Sequence, residues 1–142
     1  MSVSQVSVFL ESRPGHLKRV LDAFEAAHIN VRGFSASDTG DYGIVRFILD
    51  DPARGLEVLK DMGSAAMASE VLCVRLEDVP GELARVVGII SENANITYSY
   101  SLVSTFSVFN VADLPSLEAA LADQPVELAC QADLETCFTE EG

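Results

Sequence analysis

Ser12-Arg13-Pro14-Gly15-His16-Leu17 and Asp78-Val79-Pro80-Gly81-Glu82-Leu83 carry the same Pro-Gly-x-Leu core, 66 residues apart. The flanks of these two joints match as well. Before them, Val6, Val8 and Leu10 fall on Leu72, Val74 and Leu76, a period of two that marks a strand with one buried face. After them, Leu17, Val20, Leu21 and Phe24 fall on Leu83, Val86, Val87 and Ile90. That spacing of three and four is the apolar stripe of a helix. Proline has a fixed φ and no N–H, which suits a first helical turn. Each half is therefore expected to open strand, Pro-Gly, helix.

Further out the copies drift by one residue, Asn30-Val31 corresponding to Asn95-Ile96. Strands are expected over 30–37 and 43–49, joined by the turn cluster Asp38-Thr39-Gly40-Asp41-Tyr42. In the second half Ile96, Tyr98, Tyr100 and Leu102 alternate along one expected face, with a partner strand over 105–111. Asp51-Pro52 opens a second helix with Leu56, Leu59 and Met62 on its inner side; 113–123 repeats it with Leu114, Leu117 and Leu121. Last strands are expected over 65–69 and 126–134, although Ala65-Ala66-Met67-Ala68 equally suits an extension of the preceding helix. The order is βαββαβ twice. With right-handed connections this is an α+β chain of two tandem ferredoxin-like units, 1–69 and 70–142, each an antiparallel sheet with its helices on one face. No Gly/Ser linker separates the halves, so packed units are expected.

The 142 residues are 49% hydrophobic and 22% charged, an ordinary globular composition with a largely aliphatic core, since Trp is absent. A net charge of −13 opposes nucleic acid and anionic membranes as partners. Neither a signal peptide nor an apolar run long enough to span a bilayer is visible, which points to a cytoplasmic protein. The tail Thr139-Glu140-Glu141-Gly142 is expected to fray. Cys73, Cys130 and Cys137 form no CxxC pair, and His16 and His28 have no ligand-spaced partner, so no metal or other cofactor is expected. His28 is placed to end its helix, and Tyr98 and Tyr100 to pack. With no nucleophile elbow, HExxH or P-loop, the chain reads as a non-enzyme.

A strand ending in polar-x-Pro-Gly-x-Leu, with an Asn some sixteen residues later at the start of strand two, resembles the ACT domain, and does so twice over nearly the whole chain. The resemblance implies a regulatory module that binds a free amino acid at the interface between ACT units, without chemistry of its own. It assigns ligand contacts to the residue two before the proline, Ser12 and Asp78, and to the asparagines Asn30 and Asn95. Backbone amides at Gly15-His16-Leu17 and Gly81-Glu82-Leu83, as helix N-termini, suit a carboxylate. Ser12 departs from the usual Asp or Asn, and Glu82 opposes a carboxylate. The second unit thus offers the better amine site through Asp78, and the first, with Arg13 and His16, the better acid site. The alternative is an interaction module that regulates a partner enzyme or transcription factor through its sheet edges. Apolar sheet faces such as Ile44 with Ile48, or Val45 with Phe47, need covering, and a homodimer is expected.

Overall fold

The computed structural model describes residues 2–11, 13–38, 40–102 and 105–136. Its contacts separate into two units, Ser4–Ser69 and Glu70–Gly142 with Met1–Val3. The first unit contains β1 (Val3–Glu11), α1 (His16–Ala26), β2 (Val31–Asp38), β3 (Tyr42–Leu49) and α2 (Pro52–Asp61), and closes on the opening residues of β4 (Ala65–Arg75). Its strands lie in the order β4-β1-β3-β2. Val6 faces Phe47 and Val8 faces Val45 across the antiparallel β1–β3 ladder, so the period-two set forms one continuous apolar face. On it α1 lays Val20 and Phe24, and α2 lays Leu59, all essentially inaccessible. Phe24 meets Phe47 edge-on at 5.1 Å.

The helix ends follow from local chemistry. Asp51 Oδ1 accepts from the Arg54 N–H at 3.2 Å and Pro52 occupies the first turn of α2, where its missing N–H is harmless. At the far end Gly63 (φ 77°) closes α2: its N–H reaches Lys60 O, and the Ser64 N–H reaches Leu59 O. This paired closure is a Schellman motif. Helix α1 ends the same way, with His28 at φ 59° donating to Glu25 O and Ile29 to Phe24 O. Gly63 also decides the open question over Ala65–Ala68: the helix stops, and these residues are strand.

The second unit contains the rest of β4, then α3 (Glu82–Ser91), β5 (Ile96–Ser101), β6 (Phe106–Val111), α4 (Leu114–Leu121), β7 (Glu127–Leu128) and α5 (Gln131–Thr136). The order β7-β4-β6-β5 repeats that of the first unit. Leu72, Val74, Val86, Ile90, Phe109, Leu117 and Leu121 form its core. Asp113 caps α4 from the Ser116 N–H at 3.2 Å, as Asp51 caps α2. Both units are thus antiparallel sheets with helices on one face, in βαββαβ order.

Four expectations are corrected. Pro14 and Pro80 lie before their helices, because the following glycines are left-handed and form the N-caps. The two short strands expected around residue 70 are one, β4, since Ser69-Glu70-Val71 supplies neither Gly nor Pro to break it. The strand expected over 126–134 pairs only at Glu127–Leu128. Beyond it Asp133 Oδ2 accepts from the Cys130 N–H at 2.8 Å, half of a capping box, and α5 buries Leu134 completely. Finally, Ile96, Tyr98 and Tyr100 do not share a face. A bulge at Thr97 leaves Ile96 opposite Val111 on the helix side and turns Tyr98 and Tyr100 to the other side, opposite Asn110 and Val108. Their rings then stack at 6.4 Å. An equivalent bulge interrupts β2 between Val31 and Gly33, so the irregularity is part of the duplication. The expected fraying of 139–142 lies outside the described residues, as does Cys137.

Candidate functional site

Each Pro-Gly joint is a type II turn, closed by His16 N–H to Arg13 O at 3.3 Å and by Glu82 N–H to Val79 O at 3.3 Å. Gly15 (φ 84°, ψ −5°) and Gly81 (φ 87°, ψ −10°) hold the position that requires positive φ. The turns consume the His16 and Glu82 amides. The N–H groups of Gly15 and Leu17, and of Gly81 and Leu83, have no partner among the described residues. The first helical side chain then ties back to the end of the preceding strand in both copies. His16 Nδ1 lies 2.8 Å from Glu11 O, whereas Glu82 Oε2 accepts from the Glu77 N–H at 3.2 Å. Two chemically unlike residues make the same closure with opposite polarity.

Beside each turn is a cleft, in the same place in both units. The first, about 420 Å³, runs between the end of β1, the turn and the β2–β3 hairpin. Leu10, Pro14, Leu17, Ala36 and Val45 form an aliphatic wall; Glu11, Arg13, His16, Ser37 and Asp38 supply the polar groups. The second, about 380 Å³, is lined by Leu76, Val79, Leu83 and Phe106 with Glu77, Asp78, Ser101, Thr105 and Ser107. The first contains both signs of charge. The second has carboxylates and hydroxyls, with Val79 where Arg13 stands.

In the first cleft Arg13 Nε is 3.3 Å from Glu11 Oε2, and its Nη2 is 3.4 Å from His16 Nε2. These contacts fit an imidazole that carries its proton on Nδ1, donating to Glu11 O and accepting from the guanidinium. Asp38 Oδ1 accepts from the Gly40 N–H at 2.7 Å, an Asx turn at the tip of the hairpin. In the second unit Glu82 is turned away from the cleft. Arg85 Nε donates to its Oε1 at 2.8 Å, and this bond, with the Glu77 amide, holds the Glu82 carboxyl below its ordinary range. Arg85 in turn donates to Pro125 O, outside the cleft. Glu82 is therefore a bracket for the loop and its carboxylate does not oppose a bound acid from the cleft wall.

Of the residues singled out in the sequence, the structure gathers Arg13, His16 and Leu17 in the first cleft, and Asp78 and Leu83 in the second. Gly15 and Gly81 shape the turns without lining the clefts, and Ser12 lies outside the described residues. Asn30 and Asn95 are elsewhere in their own units. Strand β2 begins with Val31 beside Leu49 and ends with Asp38 beside Gly43, which also neighbours Leu10. The strand thus separates Asn30 from Ala36, where the cleft begins, by roughly 20 Å, at about 3.3 Å per residue. Asn30 instead pairs with Asp50: its N–H donates to Asp50 Oδ1 at 3.0 Å, and its carbonyl accepts from the Asp50 N–H at 3.1 Å. Asn95, exposed, stands before Ile96 at the opposite end of β5 from Ser101. Glu11, Asp38, Glu77 and Ser101 also line the clefts and were not singled out in the sequence. The signal was present: parallel strands in a βαβ unit end on the same side, so the carboxyl end of strand two, not its start, adjoins the loop after strand one.

Among the described residues no group of three His, Cys, Asp or Glu side chains is placed to hold a metal ion, and no helix is long and apolar enough to cross a membrane. Protein BT0572 from Bacteroides thetaiotaomicron is similar in structure over 96% of this chain and 97% of its own, with a TM-score of 0.88 and 30% identity. The regulatory subunit of aspartate kinase from Thermus thermophilus, in a ligand-free form, matches 83% of this chain and 87% of its own at a TM-score of 0.63 and 20% identity. Its counterpart from Thermus flavus gives 0.58 and 19% over the same shares. At that identity these two speak for the fold alone. No curated protein matches the sequence. No enzyme family is indicated. The family model for an ACT domain pair matches residues 1–112, from β1 through β6, and the chain belongs to the ACT domain family.

Proposed function

We propose that the chain is a regulatory sensor, without catalysis of its own, that binds a free amino acid in the cleft of its first unit. The observation that carries this reading is the pairing, in one cleft, of a cation at the turn with a carboxylate across the hairpin beside an aliphatic wall. Arg13 offers charge-assisted bonds to the ligand's carboxylate, supported by the Leu17 amide. Asp38 accepts from the ammonium, and Leu10, Leu17 and Val45 receive the side chain. Asp78 provides an amine partner in the second cleft, which lacks a matching cation. Asn30 and Asn95 take no part within their own units.

Thermal denaturation with each protein amino acid at millimolar concentration tests the reading. A ligand present at a hundred times its Kd raises stability by about 2.7 kcal/mol. Arg13→Ala is expected to remove the response, whereas a flat response of the wild type across the panel refutes the proposal.

A second reading is favoured at the second unit, where Val79 and Leu83 are 53% and 56% exposed at the rim of the cleft. Apolar side chains held outward on a turn and a helix start suit a protein partner, such as a regulated enzyme or transcription factor, or a second copy of the chain in a homodimer. Val79→Ser with Leu83→Ser, followed by light scattering and by partner capture with and without amino acid, distinguishes this from ligand binding. Unchanged association in that double variant counts against it.

A further inference from the structure

We propose that Glu11 is an internal competitor that sets the affinity of the first cleft, holding Arg13 until a ligand carboxylate displaces it. The proposal rests on the amino-acid reading of that cleft. Glu11, Arg13 and His16 line the same space, and Glu11 engages the other two at three points. Its Oε2 is 3.3 Å from Arg13 Nε, its carbonyl accepts from the Arg13 N–H at 2.8 Å, and the same carbonyl faces His16 Nδ1 at 2.8 Å.

The geometry makes Glu11 displaceable. The backbone and imidazole bonds fix where the loop sits, while the carboxylate meets the guanidinium through a single contact with both side chains 62% exposed. An incoming carboxylate can take the guanidinium bidentately, which is the stronger arrangement. Glu11 then loses only an exposed ion pair, of the kind that contributes little by itself. The second unit supplies the contrast: Glu77 holds the equivalent place, but position 79 is valine, so no competition arises there.

Glu11→Gln keeps the backbone bonds and the side-chain volume and removes the competing charge. Calorimetry with the protein amino acids, and with acetate as the minimal carboxylate, is expected to show binding about two- to five-fold tighter than wild type. Because the competition is between exposed charges, the gain shrinks as salt is raised. In an Arg13→Ala background the substitution is expected to have no effect, since the shared partner is gone. Weaker binding by Glu11→Gln, or a gain that persists without Arg13, overturns the role of Glu11 while leaving the cleft a ligand site. No binding by either wild type or Glu11→Gln removes both the site and the role.

Discussion

Replacing Gly15 or Gly81 by alanine tests the two turns on which the duplication and the clefts depend. Both residues are left-handed, at φ 84° and 87°, and a Cβ added at either meets nothing within 4 Å. No neighbour has to move, so the cost is that of the backbone conformation. For an L-residue it is about 1–2 kcal/mol. The stiffer unfolded chain of the alanine variant offsets about 0.4–1 kcal/mol of this. A net loss of about 1 kcal/mol is expected at each site, a drop in Tm of about 4–8 °C for a unit of this size. Since the two turns have the same geometry, the losses should agree within about 0.5 kcal/mol. Asparagine, which tolerates the left-handed region, should lose less than alanine at both positions. Urea denaturation followed by circular dichroism reads the change as a shift in midpoint at constant slope. Alanine variants as stable as wild type, or asparagine no better than alanine, would refute the reasoning. Because the first turn carries Arg13 and His16, Gly15→Ala should also weaken amino-acid binding, and Gly81→Ala should not.

Two further predictions concern the helix interiors and the Glu82 bracket. Gly88 and Gly55 both sit inside helices, yet alanine should act on them with opposite sign. At Gly88 nothing lies within 4 Å of the new Cβ, and about 1 kcal/mol of helix propensity is gained. At Gly55 the Cβ overlaps Leu49 Cδ1, with Phe24 Cε1 at 3.8 Å, and overpacking of about 1–3 kcal/mol outweighs that gain. Equal stabilisation of the two variants in the same urea assay would contradict the packing of α2. For Glu82, the Arg85 bond and the Glu77 amide lower the carboxyl's pKa on folding, so its contribution is complete above the unfolded value and disappears as pH falls through the folded one. The stability gap between wild type and Glu82→Gln should therefore be widest near neutrality and close in acid; a gap unchanged from pH 7 to 3 would show that the bracket is not ionic.

The Pro-Gly joints, the period-two strands and the three-four helix stripes were legible because each is a local pattern that one element imposes on its own residues. Val6, Val8, Val20 and Phe24, and their equivalents 66 residues on, announced both the fold and its duplication. Asp51 and Asp113 likewise marked their helices, since a cap acts within three residues. What the sequence left open involved competition between local choices. Thr97 became a bulge only in register with β6, which turned Tyr98 and Tyr100 away from the helices. The stretch after Leu128 chose a helix because Leu134 is buried by it.

The clefts belong to the same category. Arg13, His16 and Asp78 line the clefts beside the turns because they are close in sequence to Gly15 and Gly81. Asp38 and Ser101 reach those turns only through strand pairing, and the same pairing carries Asn30 and Asn95 to the other end of their units. Glu82 shows the limit most directly. Its charge was evident from the sequence, but whether that charge faced a ligand or a neighbouring arginine depended on a side-chain direction. A sequence determines periodicity, caps and turns because these act over a few bonds; which distant groups share a cleft is decided by register and packing, which act across the fold.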